Sequence, residues 1–133
     1  MEERRSNRSM TLATETHIRD EAIILRCAGQ FVAGEEASAF RQGAEKLLSE
    51  RRRVVINLTD LEKIDSTGLA VLVQLLTQKK GPESETRLVS SRRYMTDLLR
   101  RTRLDTVITA YASEEEAVAS FANVSPVMTT AAR

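Results

Sequence analysis

The chain of 133 residues has no tryptophan, two tyrosines, three phenylalanines, two prolines, one cysteine (Cys27) and one histidine (His17). Each scarcity excludes something. A lone cysteine forbids an internal disulfide and suits a reducing compartment. One cysteine and one histidine leave too few ligands for a zinc site of Cys/His type. Ser-His-acid catalysis would have to recruit His17 from an edge-strand segment near the N-terminus, where a lone histidine is most often a surface residue. The five glycines (Gly29, Gly34, Gly43, Gly68, Gly81) are scattered, with neither GxGxxG nor Walker spacing, so no phosphate-cradling loop is encoded. No run of about 18 apolar residues exists to span a bilayer. The opening MEERRSNRSM lacks the apolar stretch of a secretory signal. Lys plus Arg is 20 against 19 for Asp plus Glu, and a formal charge of +1 gives no global pull toward DNA or anionic lipid. The expectations are a cytoplasmic protein with no metal, cofactor, membrane association or catalytic constellation.

What is present suits one globular domain. Hydrophobic residues are 41% and charged residues 29%, and a chain of this length buries roughly two-thirds of its unfolded surface. Residues 1–10 and 124–133 read as tails around a domain at 11–123. Leu12, Thr14, Thr16 and Ile18 alternate with polar neighbours across Thr11 to Arg19, a strand pattern, and Ala22 to Arg26 gives a second strand continued by Cys27-Ala28-Gly29. After Gly34 a helix is expected, with Glu35 and Glu36 at the positive end of its dipole and a stripe of Ala37, Phe40, Ala44, Leu47 and Leu48. Val54 to Leu58 reads as a buried strand, TDLEKID as a loop, and Ser66 to Lys80 as a helix stopped by Gly81-Pro82. A strand at Arg87–Val89, a helix at Arg92–Arg101 and a strand at Val107–Tyr111 follow. The capping box Ser113–Glu116 opens a last helix with Ala117, Val118 and Phe121 inward. This alternation predicts an α/β fold with a mixed central sheet of about five strands and about four helices, packed mainly on one side.

Two segments stand out. Between Arg87 and Arg103 six arginines face a single acid, Asp97. One reading is a solvated helix face balanced by acids such as Glu114 to Glu116. The other is contact with an acidic protein. Nucleic acid would want stacking aromatics among the arginines, and only Tyr94 is there.

The second segment runs from Asn57 to Leu69. A strand ends, a polar stretch follows, and Asp65 stands where its carboxylate can cap the helix that Ser66 begins. Ser66 and Thr67 lie in the first turn, where a phosphate would meet unpaired N–H donors and the positive dipole end. Gly68 is a poor helix residue, by about 1 kcal/mol relative to Ala, and its size would let another chain approach Ser66. On spacing alone, Asp, Ser and Thr are equally the ordinary residues of a helix start. Further along, Leu69, Leu72, Val73 and Leu76 are expected to face inward, leaving Val71 and Leu75 as an apolar surface for a partner.

The run VVINLTDLEKIDSTGLAVLVQL resembles the core motif of the STAS family, the domain named for sulfate transporters and anti-sigma factor antagonists. The resemblance extends over about residues 12 to 122, taking in CAGQFVAGEEA and YASEEEAVASF, and DSTGL is its most specific element. A chain of this length is most similar to the bacterial anti-sigma factor antagonists. The resemblance implies that Ser66 is the phosphoacceptor, with Thr67 as second choice. Asp65, Ser66, Thr67, Gly68, Leu69, Val71 and Leu75 are the expected partner-binding residues. The implied partners are an anti-sigma factor with serine kinase activity and a serine phosphatase. The unphosphorylated antagonist binds the anti-sigma factor and frees the sigma factor; phosphorylation releases it. Other family members imply an alternative, an unphosphorylated accessory subunit of a transport ATPase complex or of a stress-sensing assembly.

Overall fold

A computed structural model describes residues 12–50, 52–78 and 85–121 of the chain. The tails expected at 1–10 and 124–133 lie outside them. Strands β1 (Leu12–Arg19) and β2 (Ala22–Phe31) form an antiparallel hairpin in register from Arg19↔Ala22 to Leu12↔Gly29. The two connecting residues, Asp20 and Glu21, both have positive φ (50° and 70°). Two left-handed residues make the mirror-image turn whose twist matches the strands.

Every later pairing is parallel and uses a helix as its crossover. Helix α1 (Glu35–Ser49) joins β2 to β3 (Arg53–Ile64), and α2 (Ser66–Thr77) joins β3 to β4 (Thr86–Val89). Helix α3 (Arg93–Arg101), with a 3-10 turn at Leu104–Thr106, leads to β5 (Ala110–Tyr111). The sheet order is β1-β2-β3-β4-β5. A final helix, α4, occupies 114–121.

Strand alternation divides the core. Ile23, Leu25, Cys27, Val54, Ile56, Leu58 and Leu88 meet α1, α2 and α3 on one face. Ala22, Ile24, Val55 and Val89 meet Ala117, Val118 and Phe121 of α4 on the other. This is the mixed five-stranded sheet with helices mainly on one side. The stripe Ala37, Phe40, Ala44 and Leu48 is buried as expected, with Leu47 packed at its margin. Burial pushes the Cys27 thiol up to about 12, which makes it an inert core residue.

Three expectations fail locally. Residues 59–64 are strand, not loop: β2 continues to Phe31, and its extra backbone groups pair with Asp60, Leu61, Lys63 and Ile64 through two register shifts. Gly29, at φ 98°, supplies a bend that only glycine takes readily. The last strand shrinks to Ala110–Tyr111, because Leu104–Thr106 winds into a 3-10 turn and leaves Val107 exposed. On β1 only Leu12 is buried, and Ile18 is 69% exposed: the strand is at the sheet edge, and an open groove lined by Thr14, Thr16, Phe40 and Leu47 lies between it and α1. The expected stop at Lys79–Pro82 lies outside the described residues.

Candidate functional site

The long β3 delivers the chain to Asp65, whose extended backbone (φ −105°) ends the strand and caps α2. Its Oδ1 accepts the Gly68 N–H at 2.9 Å, and its Oδ2 accepts the Ala33 N–H at 2.9 Å. The Asp65 N–H donates to the Phe31 carbonyl at 3.2 Å, and the Asp65 carbonyl accepts from Leu69 N–H at 2.9 Å. One residue thus ties the end of β2 and the turn before α1 to the start of α2. The Ala33 and Gly68 donors hold the Asp65 carboxyl below its ordinary value, because hydrogen bonds to the charged form favour it.

Ser66 and Thr67 follow in the first turn, both exposed. Neither side chain has a hydrogen-bond partner among the described residues. The first turn of α2 holds no acid, so two free hydroxyls stand at the positive end of a helix whose N-cap is fixed from three sides.

Gly68 is buried, for a reason inside this chain. A Cβ there would land on the Phe31 carbonyl oxygen and lie 3.0 Å from Ile64 Cγ1. Its smallness serves the contact between α2 and the end of β2, not the approach of a second chain.

The expected partner surface at Val71 and Leu75 is corrected in the same way. Val71 is 8% and Leu75 0% exposed, and the inward row is Gly68, Val71, Leu72 and Leu75. Leu69, Val73 and Leu76 are half-buried along its margin. Helix α2 packs against β3, β4 and α1 together, so its wide apolar arc is used up within the molecule. Its exposed arc is Ser66, Thr67, Ala70, Gln74 and Thr77.

Three neighbours of the site have almost no signature in the sequence. The Tyr94 hydroxyl accepts the Ile64 N–H at 3.3 Å, Arg92 Nη1 donates to the Leu61 carbonyl at 2.9 Å, and the Ser91 N–H reaches Thr59 Oγ1 at 3.4 Å. These contacts fasten the start of α3 beside the end of β3, two residues before Ser66. A tyrosine among arginines was the sole trace of them in the chain. Ala33, which shares Asp65, carries no side-chain signal because it acts through its backbone.

Elsewhere, His17 is a half-exposed surface residue 3.3 Å from both Glu15 and Arg26. Among the described residues no group of three or more His, Cys, Asp or Glu could hold a metal ion. No helix among them is long and apolar enough to cross a membrane.

The comparisons agree with this architecture. The STAS domain model matches residues 13–117. A crystal structure of an anti-sigma factor antagonist from Mycobacterium paratuberculosis is similar at TM-score 0.71 and 20% identity, over 83% of this chain and 93% of that one. A putative anti-sigma factor antagonist from Thermotoga maritima gives 0.65 and 23%, over 81% and 93%. The Bacillus cell fate determinant SpoIIAA in its phosphorylated form gives 0.61 and 17%, over 81% and 98%. At these identities the structures speak for the fold alone. No curated protein sequence matches the chain. The family match covers the sheet, its first three helices and the Asp65 cap together, and the chain belongs to the STAS domain family.

Proposed function

We propose that this protein is an anti-sigma factor antagonist: a binding module, not an enzyme, that docks on an anti-sigma factor with serine kinase activity and is released when Ser66 is phosphorylated. The observation that carries the reading is the pairing of an exposed, unpartnered Ser66 hydroxyl with a rigid N-cap at Asp65. A kinase needs a hydroxyl that protrudes, and a binding partner needs a surface that does not move. Both needs are met at one helix start. The fold shared with proteins described as anti-sigma factor antagonists, one of them phosphorylated, supports the same reading.

The switch is electrostatic. Phosphorylation adds about −1.5 to −2 charges. The local helix dipole tolerates that charge, but a close-packed contact does not. A tenfold weakening needs only about 1.4 kcal/mol, within reach of one like-charge clash at an interface. A serine phosphatase would restore the hydroxyl. Thr67, equally exposed, is the second acceptor candidate. The alternative of a constitutive accessory subunit needs an apolar helix face but no hydroxyl; with Val71 and Leu75 buried, that face is lost to both readings, and only the switch uses the exposed Ser66.

The test is phosphopeptide mapping by mass spectrometry of protein taken from its own cells, followed by calorimetric titration of the partner kinase. Ser66→Ala should bind like wild type and resist ATP, whereas Ser66→Asp should bind at least tenfold more weakly. Unmodified Ser66 under all growth conditions, or tight binding by Ser66→Asp, would overturn the switch.

A further inference from the structure

Among the described residues, several arginines are held by partners while those of α3 are mostly free. Arg26 grips Glu114, Arg41 pairs with Glu45, Arg87 holds Glu85 and lies over the Phe121 ring, and Arg92 donates to the Leu61 carbonyl. Arg93, Arg101 and Arg103 are exposed, and their side chains have no partner among the described residues. Arg100 has only an exposed i,i+3 contact with Asp97, at 3.2 Å. Pairs of that kind contribute little and are readily exchanged.

Arg93, Arg100 and Arg101 share one surface. Met95 and Leu99 turn inward, so positions 93, 96, 97, 100 and 101 form the outer arc of α3. Ser91, Arg93, Thr96, Asp97 and Arg100 line a shallow cleft of about 400 Å³ there. The arc begins beside the candidate site, because Tyr94 holds the Ile64 backbone two residues before Ser66.

We propose that the outer face of α3 is a docking surface for an acidic polypeptide segment, read through Arg93, Arg100 and Arg101. Guanidinium groups that are exposed and unpaired match carboxylates in bidentate geometry, and the hydroxyls of Ser91 and Thr96 add donors between them. Duplex or single-stranded nucleic acid fits less well. Base stacking needs aromatics among the arginines, and Tyr94, whose hydroxyl is tied to Ile64, is the one aromatic there. Anionic lipid also fits poorly, since the apolar side of α3 is buried and has nothing to insert. The link to regulation rests on the proposed Ser66 switch: a phosphate there would lower the positive potential of the adjoining arginine face and compete with the acidic segment.

The experiment uses the full chain and a fluorescent oligoglutamate peptide, read by anisotropy at low salt, beside a short DNA duplex and phosphatidylserine-rich vesicles. Wild type should bind the peptide in preference to both. Arg93→Gln with Arg101→Gln, whose folding is checked by circular dichroism, should weaken it about tenfold. Ser66→Asp should reduce peptide binding. Equal binding by the double variant, or tighter binding of DNA or vesicles, would overturn the docking surface. Loss in the arginine variant with no effect of Ser66→Asp would support the surface while refuting its coupling to the switch.

Discussion

The carbonyl oxygen of Phe31 occupies the space where a side chain on Gly68 would begin. Helix propensity alone says Ala at this position should stabilise α2 by about 1 kcal/mol. The contact reverses the sign, because the obstacle is backbone at the end of a paired strand and has little room to retreat. Gly68→Ala should therefore destabilise the protein by about 2 kcal/mol, the usual effect of forcing atoms into a packed site. Urea unfolding measures it, and a raised midpoint would show that β2 and α2 are not so closely joined.

Asp65 makes a separate prediction, through its two oxygens. Asp65→Ala removes both the Gly68 cap and the Ala33 tether, while Asp65→Asn keeps one acceptor and should lose only one of them. The order of stability should be wild type, then Asn, then Ala. Amide hydrogen exchange locates the effect: Ala33 and Gly68 should both exchange faster in Asp65→Ala. Because the folded-state pKa is depressed, the contribution of the charged form is complete above the ordinary Asp pKa and disappears as pH falls below it. An Ala33 amide that stays equally protected would mean that the loop is held by something else.

Much of this architecture was legible in the chain, and the failures have a common cause. The stripe of α1, the Ser113 cap and the apolar run of β2 are local patterns; Glu116 N–H to Ser113 Oγ at 3.1 Å is the serine's half of the expected capping box. Asp65 as a helix cap was legible for the same reason. The extension of β3 through TDLEKI was not, because its polar residues pair through backbone atoms with the end of β2. Nor was the phase of α2: with Leu or Val at 69, 71, 72, 73, 75 and 76, a helix packed on two sides offers two nearly equivalent stripes. Only the position of Gly68 under Phe31 chooses between them.

That phase can be tested directly. Leu75→Glu places an unpaired carboxylate in the core and should unfold the domain or cost more than about 3 kcal/mol. Gln74→Glu, one residue away on the exposed arc, should leave stability within about 0.5 kcal/mol. Thermal melts of the two variants give the comparison. If both melted like wild type, Leu75 would belong to a free surface after all.

On the opposite face of the sheet, Glu114 anchors the start of α4. Its carboxylate accepts Arg26 Nε at 2.7 Å and Nη2 at 2.9 Å, and Asn57 Nδ2 at 2.7 Å, with Arg19 at 3.8 Å. The side chain is only 10% exposed. The Arg26 hydrogen bonds, aided by Asn57 and by the charges of Arg26 and Arg19, outweigh the effect of burial and bring its pKa from 4.5 down to about 2. A depressed carboxylate stabilises the fold above its unfolded pKa and ceases to do so as pH falls through the folded one. The window is therefore from about pH 4.5 to about pH 2. The full shift would be worth about 3 kcal/mol, and the half-exposed Arg26 reduces this to about 2 kcal/mol through solvent screening. Glu114→Gln should accordingly cost about 1–2 kcal/mol near pH 7 and progressively less in acid. Urea unfolding of both proteins across this range should show their stabilities converging as wild type protonates. Once Glu114 is neutral, α4 should be the first element to detach, exposing Ala22, Ile24, Val55 and Val89. Curves that stay parallel down to about pH 2 would mean that the Arg26–Glu114 pair contributes nothing as a charge.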